Sequence, residues 1–221
     1  MVSGALISLA AAQLACVAWL LVKSGRHEPI DRARWLIIVV GCGLAYDSAV
    51  FGAGALLGEG TTLRVLSVLR FVAHVVLTPL LVVWAGDRVF RERAWWVWPT
   101  VVCLIAWGAV ADLLRLNLVP RTFADTLRYT HLISTGPPIA ALAVTVVLLI
   151  AGVRLWRQRR WVWLLAGVIA LTAASAVAPV VPPLGNAGEG ALLITLVATE
   201  VSVVRRAFAR EPTGSADSRA M

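Results

Sequence analysis

The sequence predicts an all-α membrane protein: a seven-transmembrane helix bundle, N-terminus outside and C-terminus cytoplasmic. Three observations carry that reading. Of the 221 residues 60% are hydrophobic, and the mean hydropathy of +0.84 lies far above that of a soluble domain. Seven apolar runs fall at roughly 3–22, 35–58, 62–86, 95–117, 131–153, 161–180 and 187–204, each near the ~20 residues that cross a hydrocarbon core. Arginine concentrates in every second connection, and the positive-inside rule then fixes the orientation.

The first run has no basic stretch before it and no soluble domain after it, so it reads as a span and not as a cleaved signal. Lys23, Arg26, Arg32 and Arg34 fill the first connection. The second run buries Tyr46, Asp47 and Phe51 and ends near Glu59. In the third, Arg70 and His74 stand four apart and share one helical face, beside Phe71. Pro79, next to Thr78, removes a backbone donor and predicts a kink there. Arg88, Arg91 and Arg93 follow.

The fourth run holds Trp107 and Asp112, with Arg115 three residues on. Arg121 and Arg128 lie in the fourth connection, and Tyr129 and His131 stand at the outer mouth of the fifth run, which opens with Thr135-Gly136-Pro137-Pro138. Arg154, Arg157, Arg159 and Arg160 close that run. Pro179, Pro182 and Pro183 end the sixth and lead into Gly185 to Gly190, read as a loop placed to cap a cavity from outside. Glu59 and Glu189 then read as solvated loop acids. The seventh run carries Glu200 with a polar stripe of Thr195, Thr199 and Ser202. Residues 1–206 form a single seven-helix domain, and 207–221, polar and small, a disordered cytoplasmic tail.

Nine of ten tryptophans (Trp19, Trp35, Trp84, Trp95, Trp96, Trp98, Trp156, Trp161 and Trp163) fall near the arginine-rich ends, as an interfacial belt; Trp107 is mid-span. The net charge of +8 is therefore a topology signal that also meets membrane lipid headgroups, not a nucleic-acid footprint. Cys16, Cys42 and Cys103 lie inside apolar runs without a Cys-x-x-Cys, and read as buried free thiols. The last run has no lysine for a retinal Schiff base, and the chain has no His-x-x-x-His, Asp-rich box or Gly-x-Ser-x-Gly. What remains is acid–base chemistry without metal or cofactor, or no chemistry at all.

Asp47 is the sharpest feature. A carboxylate at mid-membrane depth costs several kcal/mol unless paired, protonated or facing a wet cavity. Arg70, His74, Asp112 and Glu200 are the other ionisable groups inside the runs. Each has a structural reading: Asp47 with Arg70 as an ion pair between adjacent spans, His74 as a helix–helix hydrogen bond, Asp112 with Arg115 as a rim pair, Glu200 as a residue snorkelling to the interface. The chemical reading is that a desolvated carboxylic acid keeps its proton and acts as a general acid while a second one stays ionised. Which acid does which is open at this point.

Seven spans in this length, with Asp47 on the second and Glu200 on the seventh, resembles the small integral-membrane terpene cyclases: the fungal pyripyropene-type meroterpenoid cyclases and the bacterial drimentine-type indole-sesquiterpene cyclases. Usage rich in Ala, Arg, Val and Leu, with Lys23 as the single lysine, resembles a high-GC actinobacterial protein and favours the bacterial branch. The fungal enzymes carry the two acid types in the reverse order, and Glu59 rivals Asp47 for the span-two role. The resemblance implies an enzyme of the bacterial inner membrane, free of metal and cofactor. It would protonate a terminal alkene or epoxide of a lipid-soluble prenylated aromatic such as farnesyl-indole, and rings would close by a carbocation cascade. Asp47 is the expected proton donor and Glu200 the second acid or base. Arg70, His74 and Asp112 shape the charge, and Tyr46, Phe51, Glu59, Phe71 and Trp107 line the substrate. The alternatives are a proton-coupled small-molecule transporter and a non-enzymatic lipid-binding protein.

Overall fold

The computed structural model describes residues 1–27, 30–90, 95–132 and 138–208. Helix α1 (Val2–His27) is followed by α2 (Arg32–Leu57), which Asp31 caps by accepting the Arg34 N–H at 3.1 Å. The third run is broken where expected. Helix α3 (Thr61–Leu77) and α4 (Leu80–Arg88) flank Thr78-Pro79, because Pro79 offers no N–H to the Val75 carbonyl. Four stretches are long and apolar enough to cross a membrane: Val2–Lys23, Arg32–Leu57, Thr61–Arg88 and Ile139–Arg159. Val97–Leu113 and Trp163–Val177 are shorter apolar helices.

The fourth run and its connection depart from the expected helix-and-loop. Helix α5 (Val97–Gly108) gives way to a π-helical turn, Ala109–Leu113. Then β1 (Leu118–Phe123) and β2 (Thr126–His131) pair antiparallel, from Leu118 opposite His131 to Phe123 opposite Thr126. His131 is thus a strand residue, and α6 (Ile139–Arg159) starts later than the apolar run suggested. Thr135, Gly136 and Pro137 lie outside the described residues.

After α7 (Trp163–Val177), α8 (Pro183–Phe208) takes in the whole segment read as a loop. Proline suits a first helical position, and the glycines serve close packing: a Cβ at Gly188 would sit 2.7 Å from that of Ala174 on α7. Asn186 and Glu189 are therefore helical, not loop, residues. Most of the expected tail, 209–221, lies outside the described residues.

Helix α2 is central and touches α1, α3, α4, α8 and β2. Around it the main core packs Ile37, Val82, Trp84, Leu148, Leu164, Leu193 and Leu196. Trp84 is fully buried there and so leaves the interfacial belt, whereas Trp95 and Trp163 are exposed. Large apolar side chains such as Leu14, Val102, Val146 and Ile150 face outward, as an acyl-chain environment favours. Cys42 and Cys103 share that outer surface and are not buried.

The two ends of the bundle differ. At one, Arg32 on α2 grips Asp87 on α4 through two hydrogen bonds, at 2.9 and 2.5 Å. At the other, the hairpin lies across α1, α2 and α3. Its Asp125 carboxylate accepts the Val2 and Ser3 N–H groups at 2.8 and 3.3 Å, capping α1. Gly54 lets the strand down onto α2: a Cβ there would fall 1.7 Å from the Leu127 carbonyl oxygen. Val50, Leu63 and Leu127 form a second, small core beneath it.

Candidate functional site

Three helices meet at Asp47. From α3, Arg70 Nε donates to its Oδ1 at 2.5 Å; from α8, Asn186 Nδ2 donates to its Oδ2 at 2.5 Å and lies 3.4 Å from Ser48 Oγ. The ion pair read from the sequence is present, and a third helix completes it. Both oxygens are engaged by charge-assisted or amide donors, which hold the group as a carboxylate. One turn along α3 stands His74, and one turn along α8 from Asn186 stands Glu189.

Three adjoining cavities share His74 and Thr78, at the break before Pro79. The first, of about 110 Å³, lies between α3, α5 and α6 and is lined by Val75, Trp107, Ala111, Asp112 and Ile139. The second, about 30 Å³, carries Val40, Leu44, Asp47, Arg70 and Glu189. The third, about 110 Å³, runs among Leu44, Leu81, Val144, Leu148, Leu171, Glu189, Leu192 and Leu196. Each alone is smaller than the ~300–1,000 Å³ typical of a drug-sized site. Their common wall at His74 makes them branches around one polar centre.

Glu189 belongs to both the second and third branches. Among the described residues no hydrogen bond or ion pair engages its carboxyl. The expectation of a solvated loop acid is corrected: the residue is helical and, in the third branch, faces a largely aliphatic wall. Asp47 and Glu189 are thus two carboxyls in contrasting surroundings, one pinned by donors and one without them.

Glu200 is elsewhere. It is fully buried, and its Oε2 accepts from Trp84 Nε1 at 3.0 Å and from Arg88 Nε at 2.9 Å. A terminal nitrogen of Arg88 donates to Oε1, with Arg34 Nε 3.5 Å from the same oxygen. Arg88 also binds Asp31 at 2.7 and 2.8 Å. The expectation that Glu200 shares a chamber with Asp47, or snorkels, is corrected: it lines none of the three cavities and ties α2, α4 and α8 together. The polar stripe beside it turns inward on its own helix, Thr195 donating to Leu192, Thr199 to Thr195 and Ser202 to Thr199 carbonyls.

The remaining candidates divide. Asp112, carried by the π-helical turn, and Trp107, 53% exposed at the rim, line the first branch. Tyr46 donates to the Leu66 carbonyl at 2.9 Å and fastens α2 to α3. Phe71 meets the edge of His131 with centroids 4.8 Å apart, anchoring the hairpin. Glu59 is exposed beyond the end of α2 and lines none of these cavities, so it is no rival to Asp47. Phe51 is fully buried and carries the guanidinium carbons of Arg70 and Arg128, 5.9 and 4.9 Å from its centroid. Burial, with Arg70 nearby, pulls Arg128 down to about 10.

Sequence reasoning missed Asn186, Glu189 and Arg128. Asn186 and Glu189 are three apart, a spacing that puts both on one helical face once Pro183 is taken as the helix start. Among the described residues no three of His, Cys, Asp and Glu are grouped to hold a metal ion. No family model, curated protein or solved structure matches this chain.

Proposed function

We propose that the chain is an integral-membrane terpene cyclase acting on a prenylated aromatic such as farnesyl-indole. All seven apolar runs cross a bacterial cell membrane, with the hairpin outside and the Arg32–Asp87 end in the cytoplasm. The observation that carries the reading is the contrast between Asp47 and Glu189 on one cavity wall beside His74. Glu189, without donors, delivers its proton to the terminal alkene, forming a C–H bond and leaving a tertiary cation. Double bonds of the chain attack in turn and close rings. His74 takes the proton released at the last carbon, so the product is an isomer of the substrate. Asp47, kept as a carboxylate by Arg70 and Asn186, offers fixed negative charge to the passing cation. The Trp107 face does so from the first branch. The aliphatic walls keep water from the cation.

The test is to incubate membranes holding the protein with prenylated indoles and quinols and to search for an isomeric product of unchanged mass. Glu189→Gln and Asp47→Asn are each expected to abolish that product while the protein still inserts and folds. Full turnover by both variants ends the proposal.

A further inference from the structure

Two guanidiniums converge on one buried ring. Arg70 and Arg128 reach Phe51 from α3 and from β2, and like charges held this close repel. Arg70 engages Asp47 through Nε alone. Among the described residues its two terminal nitrogens, and all of the Arg128 fork, make no hydrogen bond or ion pair. Directly across the hairpin from Arg128 lies Arg121, exposed and again cationic. Like charges directly opposite on paired strands are destabilising. One carboxylate, Asp47, thus faces two guanidiniums with a third at the rim, and Glu189, read above as the proton carrier, adds no charge. A planar fork of unused donors is matched geometrically by phosphate or carboxylate oxygens.

We propose that Arg70 and Arg128 seat an anionic group, phosphate or carboxylate, on an otherwise apolar ligand whose chain extends toward the cavities at His74. For the identity of that chain, an isoprenoid, this rests on the cyclase reading; the anion seat itself does not. On the cyclase reading, the aromatic end of the prenylated substrate then carries the acidic group, held at the hairpin end while the distal alkene reaches Glu189. The same oxygens are also carried by phospholipid headgroups, and the experiment separates the two sources.

Purified protein in phosphatidylcholine nanodiscs is titrated with farnesyl phosphate and with farnesol, binding being read by thermal stabilisation and without turnover. The expected result is a preference of about tenfold or more for the phosphate, the scale of a lost charge-assisted pair. Arg128→Gln is expected to erase the preference while keeping farnesol affinity, and Arg128→Lys to retain part of it. Equal affinity of the wild-type protein for the two ligands overturns the proposal even if no variant folds. So does an undiminished preference in Arg128→Gln. Loss of the preference in discs containing phosphatidylglycerol assigns the seat to a bilayer headgroup and overturns the substrate assignment. Because product formation is not measured, failure of the cyclase reading leaves this result standing, and the reverse holds too.

Discussion

Replacing Glu200 by Gln separates a carboxylate that holds helices together from the one proposed to do chemistry. The substitution keeps the volume, removes the charge and turns an amide nitrogen toward Arg88 and Arg34. Glu200 has no exposure, and the Arg34 side chain keeps only 8% of its own. Breaking a buried ion pair by removing one partner costs about 3–5 kcal/mol, because the other charge is stranded. Arg88 is not wholly stranded: it keeps Asp31 at 2.7 Å and 16% of its side-chain surface. The loss therefore falls at the low end, about 3 kcal/mol. It is to be read from reversible unfolding of the purified protein in mixed micelles on titration with dodecyl sulfate, followed by far-ultraviolet circular dichroism. Turnover per folded molecule should stay within about a factor of two, since Glu200 lines no branch of the cavity. Glu189→Gln should show the opposite pattern: stability within about 1 kcal/mol of the parent, because no hydrogen bond is lost, and no product. A Glu200→Gln variant as stable as the parent but inactive, beside a fully active Glu189→Gln, refutes the division of roles.

Two other predictions concern the ends of the bundle. Gly54→Ala puts a Cβ where the Leu127 carbonyl already sits, so the hairpin must lift from α2, with an expected loss of about 1–3 kcal/mol. Hydrogen exchange across residues 118–131 should quicken, and unchanged protection there means the hairpin is not seated as described. At the other end burial pushes the Asp31 carboxyl up, but the Arg34 N–H and the Arg88 guanidinium outweigh it and hold it below its ordinary 3.8. A depressed folded-state value stabilises fully above the ordinary one, and the stabilisation is lost as pH falls through it and below. Asp31→Asn should therefore melt lower than the parent at about pH 7, with the gap narrowing progressively as the pH falls below 3.8. A gap that stays constant over that range disproves the linkage.

The helices that could cross a membrane were legible because length and apolarity suffice to mark them, and the kink because Pro79 lacks a donor whatever surrounds it. Asp47 with Arg70 followed from charge on consecutive runs, and His74 from its spacing to Arg70. Which face of each helix turns inward was not legible. Lipid is as apolar as the core, so periodicity does not tell inside from outside, and Cys42 and Cys103 ended on the outer surface. The strands at 118–131 hid between two hydrophobic runs, in a stretch read as a connection, with only His131 counted into the fifth run. The glycines of α8 signalled a loop because glycine serves turns and close packing alike; only the contact between Gly188 and Ala174 decides.

Glu200 shows the deeper limit. A cation sought within a turn of it in sequence is absent, yet Arg88 arrives from α4, 112 positions away. Glu189 and Glu200 are eleven residues apart, close to three full turns, so both project from nearly the same face of α8 at depths differing by about 16 Å. That face is turned toward α2 at both levels, meeting Asp47 near one end and Arg34 near the other. The two acids have the same chemistry and the same helical phase; only the neighbours at each depth differ. At the lower level Trp84, Arg88 and Arg34 supply donors, and the carboxylate becomes structure. At the upper level the donors go to Asp47, and the unclaimed carboxyl is left beside an apolar void. On the proposed reading, Glu189 can give up a proton because partners are withheld from it while its twin Glu200 is saturated with them.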